Sequence, residues 1–219
     1  MEDLLRQTRD RGRERVVRES ALDRLLAAAV GVHPAGFAAV DANALAGAEP
    51  ELAERLLARV AACIGVARYP ARRDRVARLR AALLAHPERP RTLGGCRFVP
   101  WRGRILVLRE LAAAEPAARL EPGRQLLWDG RFAVGPAPAG SALVFGYLGP
   151  DAAPARQSAA PTVGGLPRLV HPVLPALRDA TGLVAVPHLG WRRDGHEGAL
   201  PTLLFRPPNP LTRAAFTVV

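Results

Sequence analysis

At Thr92 the spacing of apolar residues changes from the period of helices to that of strands, and this limits the fold more than any other feature. Before it, apolar residues return every three or four positions. Leu22, Leu25, Leu26 and Ala29 stand at i, i+3, i+4 and i+7 in a segment read as helix from 3 to 30, with Gly31 as its stop. The stretch from Arg6 to Arg15 in that segment is almost wholly polar, includes Gly12 and offers no face to bury. Val32 to Phe37 reads as a connector into a short extended piece ending near Val40, after which Asp41 can cap a helical turn around Ala44 and Leu45. A second long helix is predicted from Pro50 to Ile64, with Leu52, Leu56, Val60 and Cys63 on one face and Gly65 as its end. A third is predicted from Pro70 to about Ala85, burying Val76, Leu79 and Leu83 and closed by His86-Pro87.

After Thr92 the runs shorten. Leu93 to Val99 and Arg104 to Arg109 read as a β-hairpin about a turn at Trp101-Arg102-Gly103. Ala112 to Gly123 reads as an Ala/Pro-rich linker. Further strand-like runs are Leu126 to Val134, Ala142 to Leu148, Leu183 to Val186 and Leu203 to Phe205, with a loose segment over Gly149 to Pro161. The expected class is α+β: an N-terminal helical bundle with an attached β-hairpin, then a smaller mixed α/β C-terminal region. The expected division is 1–110, a linker over 111–123, and 124–219. With 219 residues, 49% of them hydrophobic, the chain can bury a core, while 21 Pro and 20 Gly require many turns. No apolar run is long enough for a membrane span, and the start Met1-Glu2-Asp3 does not read as a signal peptide. Cys63 and Cys96 form no disulfide framework, so the expected setting is cytoplasmic with reduced thiols.

Charge carries the functional signal. The net charge is +11 and every basic side chain other than histidine is arginine. Between residues 68 and 109 stand twelve arginines and two acids, Asp74 and Glu88, whereas the rest of the chain is nearly balanced. Charge concentrated in this way suits a polyanion, above all nucleic acid. Arg72, Arg73, Arg75, Arg78 and Arg80 share a helix with little else exposed, and Arg97, Arg102 and Arg104 sit on the adjoining hairpin. Arginine forks onto phosphate, and Trp101 at the turn could stack on an unpaired base. A solvated basic face with no nucleic-acid role, on an inert or protein-interacting remnant, is the alternative. Membrane docking by the basic helix is disfavoured, because Val76, Leu79 and Leu83 belong to a core.

Other chemistries find little footing. Gly94-Gly95 precedes a strand and Gly164-Gly165 is followed by Leu166-Pro167, so neither reads as a loop that cradles phosphate. The histidines are scattered, and Asp194-Gly195-His196-Glu197 reads as a surface loop, not as a metal site. Cys63 belongs to an apolar helix face, and Cys96 lies in a strand without a base beside it. No catalytic residue is assigned.

Two stretches resemble the bacterial tRNA(Ile)-lysidine synthetases, particularly the alphaproteobacterial kind. Arg91-Thr92-Leu93-Gly94-Gly95-Cys96-Arg97 followed by Arg104 to Glu110 is similar to a strand pair of that family. Leu174 to Asp179 with Gly182 to Trp191 is similar to its C-terminal segment. His33 to Phe37, Tyr69-Pro70 and Trp128 to Phe132 agree in order, so the resemblance covers most of residues 20 to 191. It implies ATP-dependent attachment of lysine to an anticodon cytidine of a minor isoleucine tRNA. It also implies that ATP is held by an N-terminal ATP-pyrophosphatase domain with a Ser-Gly-Gly-x-Asp-Ser loop, a loop this sequence lacks. The resemblance therefore implies a tRNA-binding portion, with no cofactor in this chain and with a separate ATP-pyrophosphatase subunit as one source of the chemistry. Its expected tRNA contacts are Arg72, Arg73, Arg75, Arg97, Trp101, Arg102 and Arg104, with Arg192 and Arg193 as weaker candidates.

Overall fold

The computed structural model describes residues 2–66, 69–149 and 165–211, with side chains from residue 11 onward. The chain begins with α1 (Glu2–Ala29), whose Leu22, Leu26 and Ala29 are buried. Residues 11–15, the part of the polar stretch from Arg6 to Arg15 whose side chains are described, are exposed, as are Val16 and Val17 beyond it, to 64% and 65%. Two strands follow, β1 (Val30–His33) and β2 (Phe37–Asp41), paired antiparallel. The connector expected from Val32 is therefore partly strand. Its sequence carries no alternation that would reveal this, and it pairs because β2 offers its edge.

Asp41 accepts from the Ala44 N–H at 2.8 Å and caps α2 (Ala42–Gly47), as its position implied. Next comes α3 (Pro50–Gly65), with Pro50 in the first turn. Its buried stripe is broader than the expected one and includes Ala53, Leu56, Leu57, Val60, Ala61, Cys63 and Ile64. Burying each larger aliphatic here contributes about 1.5–3 kcal/mol relative to exposure. The third long helix, α4 (Arg73–Ala85), starts three residues later than predicted, and Arg72 is its extended N-cap. Val76, Leu79 and Leu83 are buried as expected.

From residue 91 the chain forms β3 (Arg91–Leu93), β4 (Cys96–Trp101) and β5 (Arg104–Arg109). Gly94 and Gly95 make the first turn with φ of 61° and 72°, and Arg102 and Gly103 the second with 48° and 73°. Both are two-residue connections with positive φ at each position, the geometry that matches the twist of a hairpin. These strands join the first hairpin in one antiparallel sheet of order β1-β2-β5-β4-β3.

Two further sheets follow. The remaining strands are β6 (Ala118–Arg119), β7 (Leu126–Trp128), β8 (Phe132–Val134), β9 (Val144–Tyr147), β10 (Pro175–Asp179), β11 (Gly182–Val186), β12 (Trp191–Arg192) and β13 (Leu203–Phe205). They form a sheet of order β12-β11-β10-β9-β6 and a smaller one of order β13-β8-β7. Beyond Arg109 the described residues hold strands and short 3-10 turns. The Ala112–Gly123 stretch is not a bare linker: β6 pairs with β9, and Leu120 is buried in the third core cluster. The loose segment expected over 149–161 lies, beyond Gly149, outside the described residues.

The first sheet is covered on both faces. Along β5, Ile105 and Val107 face the helices, while Leu106 and Leu108 join Val170, Leu174, Ala176 and Val186 from the second half of the chain. A run of four apolar residues, not an alternating one, is what such a central strand requires.

The end of α3 abuts the Gly94–Gly95 turn. A Cβ on Gly65 would collide with the Gly94 carbonyl oxygen and come within 2.9 Å of Cys96 Sγ. Gly65→Ala is thus expected to destabilise the protein by about 1–3 kcal/mol, because backbone cannot step aside as a side chain can. Chemical denaturation of the purified variant checks this.

Candidate nucleic-acid interface

Ten arginines of the basic segment divide into three kinds, while Arg80 on α4 is half-buried and Arg68 lies outside the described residues. Arg109 is not on the surface; it is buried beneath the sheet and engages Asp129. Arg78 and Arg89 are exposed and pair with Asp74 and Glu88. Among the described residues, Arg72, Arg75, Arg91, Arg97, Arg102 and Arg104 have no ion-pair partner, and Arg73 lies a loose 4.0 Å from Glu51.

Two grooves collect most of these side chains, and α4 walls both. One, of about 600 Å³, lies between α4 and β3 and is lined by Arg75, Arg78 and Arg91, with Glu110 as its one carboxylate. Arg72 and Arg73 stand at the start of the same helix, at the positive end of its dipole. The only acid in that first turn, Asp74, is held by Arg78 at 2.8 Å. Cationic charge is therefore concentrated where backbone N–H groups already favour an anion. The second groove, of about 430 Å³, lies at the tip of the β4–β5 hairpin and collects Trp101, Arg102 and Arg104.

Arg97, Arg192 and Arg193 fall outside both grooves. Arg97 is exposed on β4, in register with Thr92 and Leu108, and lines neither groove. Trp101 is half-buried rather than exposed. It packs against the core between the two larger sheets, and the Arg102 guanidinium lies 5.1 Å from its ring centre. Arg192 is exposed on β12, on another sheet. Arg193 is engaged: its Nη1 donates to Asp179 Oδ1 at 3.0 Å and its Nη2 to Oδ2. Those bonds and the Thr181 hydroxyl hold the Asp179 carboxyl well below the usual carboxylate range. Arg193 thus carries little free charge. Arg78 and Arg91 are groove residues that a reading of charge alone did not single out, because the side of α4 that meets β3 and the register of β3 are set by the tertiary packing.

A different group is buried between the layers. Asp129 and Arg131 are 2% and 0% exposed. Arg109 donates from Nε to Asp129 Oδ2 at 2.8 Å and from Nη2 to Oδ1 at 2.9 Å, a bidentate pair. Arg131 Nε donates to Oδ2 at 3.2 Å, and the Tyr147 hydroxyl donates to the same oxygen at 2.6 Å. The two guanidiniums then reach the end of α3: Arg131 Nη1 bonds the Ile64 carbonyl at 2.9 Å, and Arg109 Nη1 that of Gly65 at 2.8 Å. Cations thereby satisfy helix carbonyls at the negative end of the dipole. Burial pushes the Asp129 carboxyl up, but the bonds from Arg109, Tyr147 and the Glu115 N–H outweigh it and hold the pKa below its ordinary value. The cluster ties the first sheet and α3 to β7–β9; with its two guanidiniums and its carboxylate all hydrogen-bonded to buried partners, it is a scaffold.

Neither cysteine is poised to react. Burial pushes the Cys63 thiol up to about 11 and Cys96 to about 12, so both stay protonated at neutral pH. Among the described residues no three His, Cys, Asp or Glu side chains gather as metal ligands. No helix among them is long and apolar enough to cross a membrane.

His33 and His188 meet where the β1–β2 hairpin touches the turn Pro187–Leu189. His33 stacks on Phe37 at 4.7 Å, and the His188 ring lies 6.0 Å away. Burial pushes both imidazoles down, His188 to about 4 with the neighbouring His33 as its second cause. The folded protein therefore binds these protons less readily than the unfolded chain, whose histidines titrate near 6.5. Stability present above about pH 6.5 is expected to be lost progressively as pH falls toward 4. Urea midpoints across that range check this, and His188→Phe should flatten the slope.

Compared with known proteins, the chain matches no protein-family description, no curated protein and no solved structure at a significant level.

Proposed function

We propose that this chain is an RNA-docking module, the tRNA-holding portion of a lysidine-forming ligase. The observation that carries the docking role is the groove between α4 and β3. Arg75 and Arg91 line it without ion-pair partners among the described residues, Arg72 and Arg73 extend its charge along the helix start, and a single described carboxylate, Glu110, lines it with them. A phosphate backbone supplies the complementary charge, and guanidinium forks match its oxygens. Choice of tRNA as the RNA, and of lysidine formation as the reaction served, rests on the resemblance carried by residues 91–110 and 174–191.

Equilibrium binding to unmodified minor isoleucine tRNA and to an unrelated tRNA, at two salt concentrations, tests this. Expected is selective binding that weakens steeply with salt, by roughly one log unit per log of salt for each phosphate contacted. Indiscriminate or salt-insensitive binding would remove the tRNA assignment. Lysidine produced by the pure 219-residue chain from ATP, lysine and tRNA would remove the reading of these residues as a docking portion alone.

A further inference from the structure

We propose that the groove at the β4–β5 tip accepts one unpaired nucleotide of RNA, its base against the apolar floor and its flanking phosphates on Arg102 and Arg104. The inference rests on the RNA-docking reading and adds which part of the RNA this second groove takes.

The groove is built differently from the one along α4 and β3. Its walls include Leu83 and Leu84 of α4, Pro87, Pro100 and Ile105, all apolar, and its volume of about 430 Å³ lies in the range that encloses a small organic ligand. Leu84 is 38% exposed, whereas Leu79 and Leu83 of the same helix are buried, so its side chain is available at the groove wall. A flat heterocycle is the part of a nucleic acid that suits such walls. In a duplex that surface is already covered by stacking, so only an unpaired base can enter.

Polar groups stand at the rim. Arg102 and Arg104 flank Gly103 at the hairpin tip, both exposed, and no acid lines the groove. Asp41, in register with Arg104, is already used by the Ala44 N–H as the cap of α2. Asn43, exposed on α2, also lines the groove and offers both an amide donor and a carbonyl acceptor to a base edge. Arg102 is fixed in a left-handed conformation, with its guanidinium lying over Trp101, so the cation is held at the rim. A protein partner matching this rim would have to be acidic and apolar together; the anion-and-ring combination is intrinsic to a nucleotide.

The test uses the full chain and two RNAs of equal length that carry 2-aminopurine: a hairpin with it at an unpaired loop position, the loop probe, and a fully paired duplex without a loop, the stem probe. The loop probe is expected to bind more tightly and to change its emission on binding. Leu84→Glu, at an exposed position where folding tolerates it, should weaken the loop probe about tenfold and the stem probe by less than about twofold, as loss of one base contact implies. Asn43→Ala should weaken the loop probe alone, which separates a base-edge contact from simple charge repulsion. Equal binding of both probes, or equal loss for both in Leu84→Glu, would overturn the nucleotide groove and leave RNA docking standing. Failure of both RNAs to bind at low salt would overturn both readings together.

Discussion

Asp129→Asn is expected to destabilise the protein by about 3–5 kcal/mol, the range for removing one partner of a buried ion pair. The substitution keeps size and shape. It also keeps the backbone at ease, because Asp129 has a φ of 47° and asparagine is among the residues that enter that region most readily. What changes is the charge. The carboxylate accepts from Arg109, from Arg131, from the Tyr147 hydroxyl and from the Glu115 N–H. An amide turns two hydrogens toward some of those donors and leaves two guanidiniums buried without a counterion. Urea denaturation at pH 7 measures the loss. A change below about 1 kcal/mol would mean that solvent reaches the cluster and screens it. Linkage gives a second readout. Because the Asp129 pKa is held below its ordinary value, its contribution is present at neutral pH and is lost only as pH falls through that lowered value. The variant and the parent should therefore converge in stability under strongly acid conditions.

The double reversal Arg75→Glu with Arg91→Glu is expected to weaken RNA binding about 100-fold or more at low salt, without altering the fold. Both positions line the α4–β3 groove, neither has an ion-pair partner among the described residues, and no buried contact depends on either charge. Each lost phosphate contact should also lower the slope of log affinity against log salt by about one. A slope reduced by about two, with an unchanged circular dichroism spectrum, is the expected pair of results. Undiminished affinity with an unchanged slope would move the RNA away from this groove. The same reversal at Arg193, whose charge is spent on Asp179, should leave the slope alone.

Local signals in the sequence foretold much of the fold. The cap at Asp41, the proline in the first turn of α3, the turn at Arg102–Gly103 and the α4 stripe of Val76, Leu79 and Leu83 all depend on interactions spanning a few residues. Such interactions can be read from spacing, because the helix and strand periods are fixed by backbone geometry. The basic segment was equally legible as composition, and its concentration about α4 follows from that helix lying within it.

Only the tertiary structure decided which charges reach solvent and which faces lie covered. Arg109 and Arg104 end the same strand, yet one is buried against Asp129, twenty residues onward, and the other is exposed at a groove rim. Nothing local separates them; the difference arises because β5 lies at the centre of a sheet with a second sheet across one face. The stretch from Ala112 to Gly123, which reads as linker, is ordered by partners on β9 and by the buried cluster. Arg193 is neutralised by an aspartate brought beside it through the pairing of β10, β11 and β12. The sequence by itself determined the helices, the hairpin turns and the amount of charge, because these are short-range. The structure decided where that charge is free, because burial and ion pairing depend on residues that only the folded chain brings together.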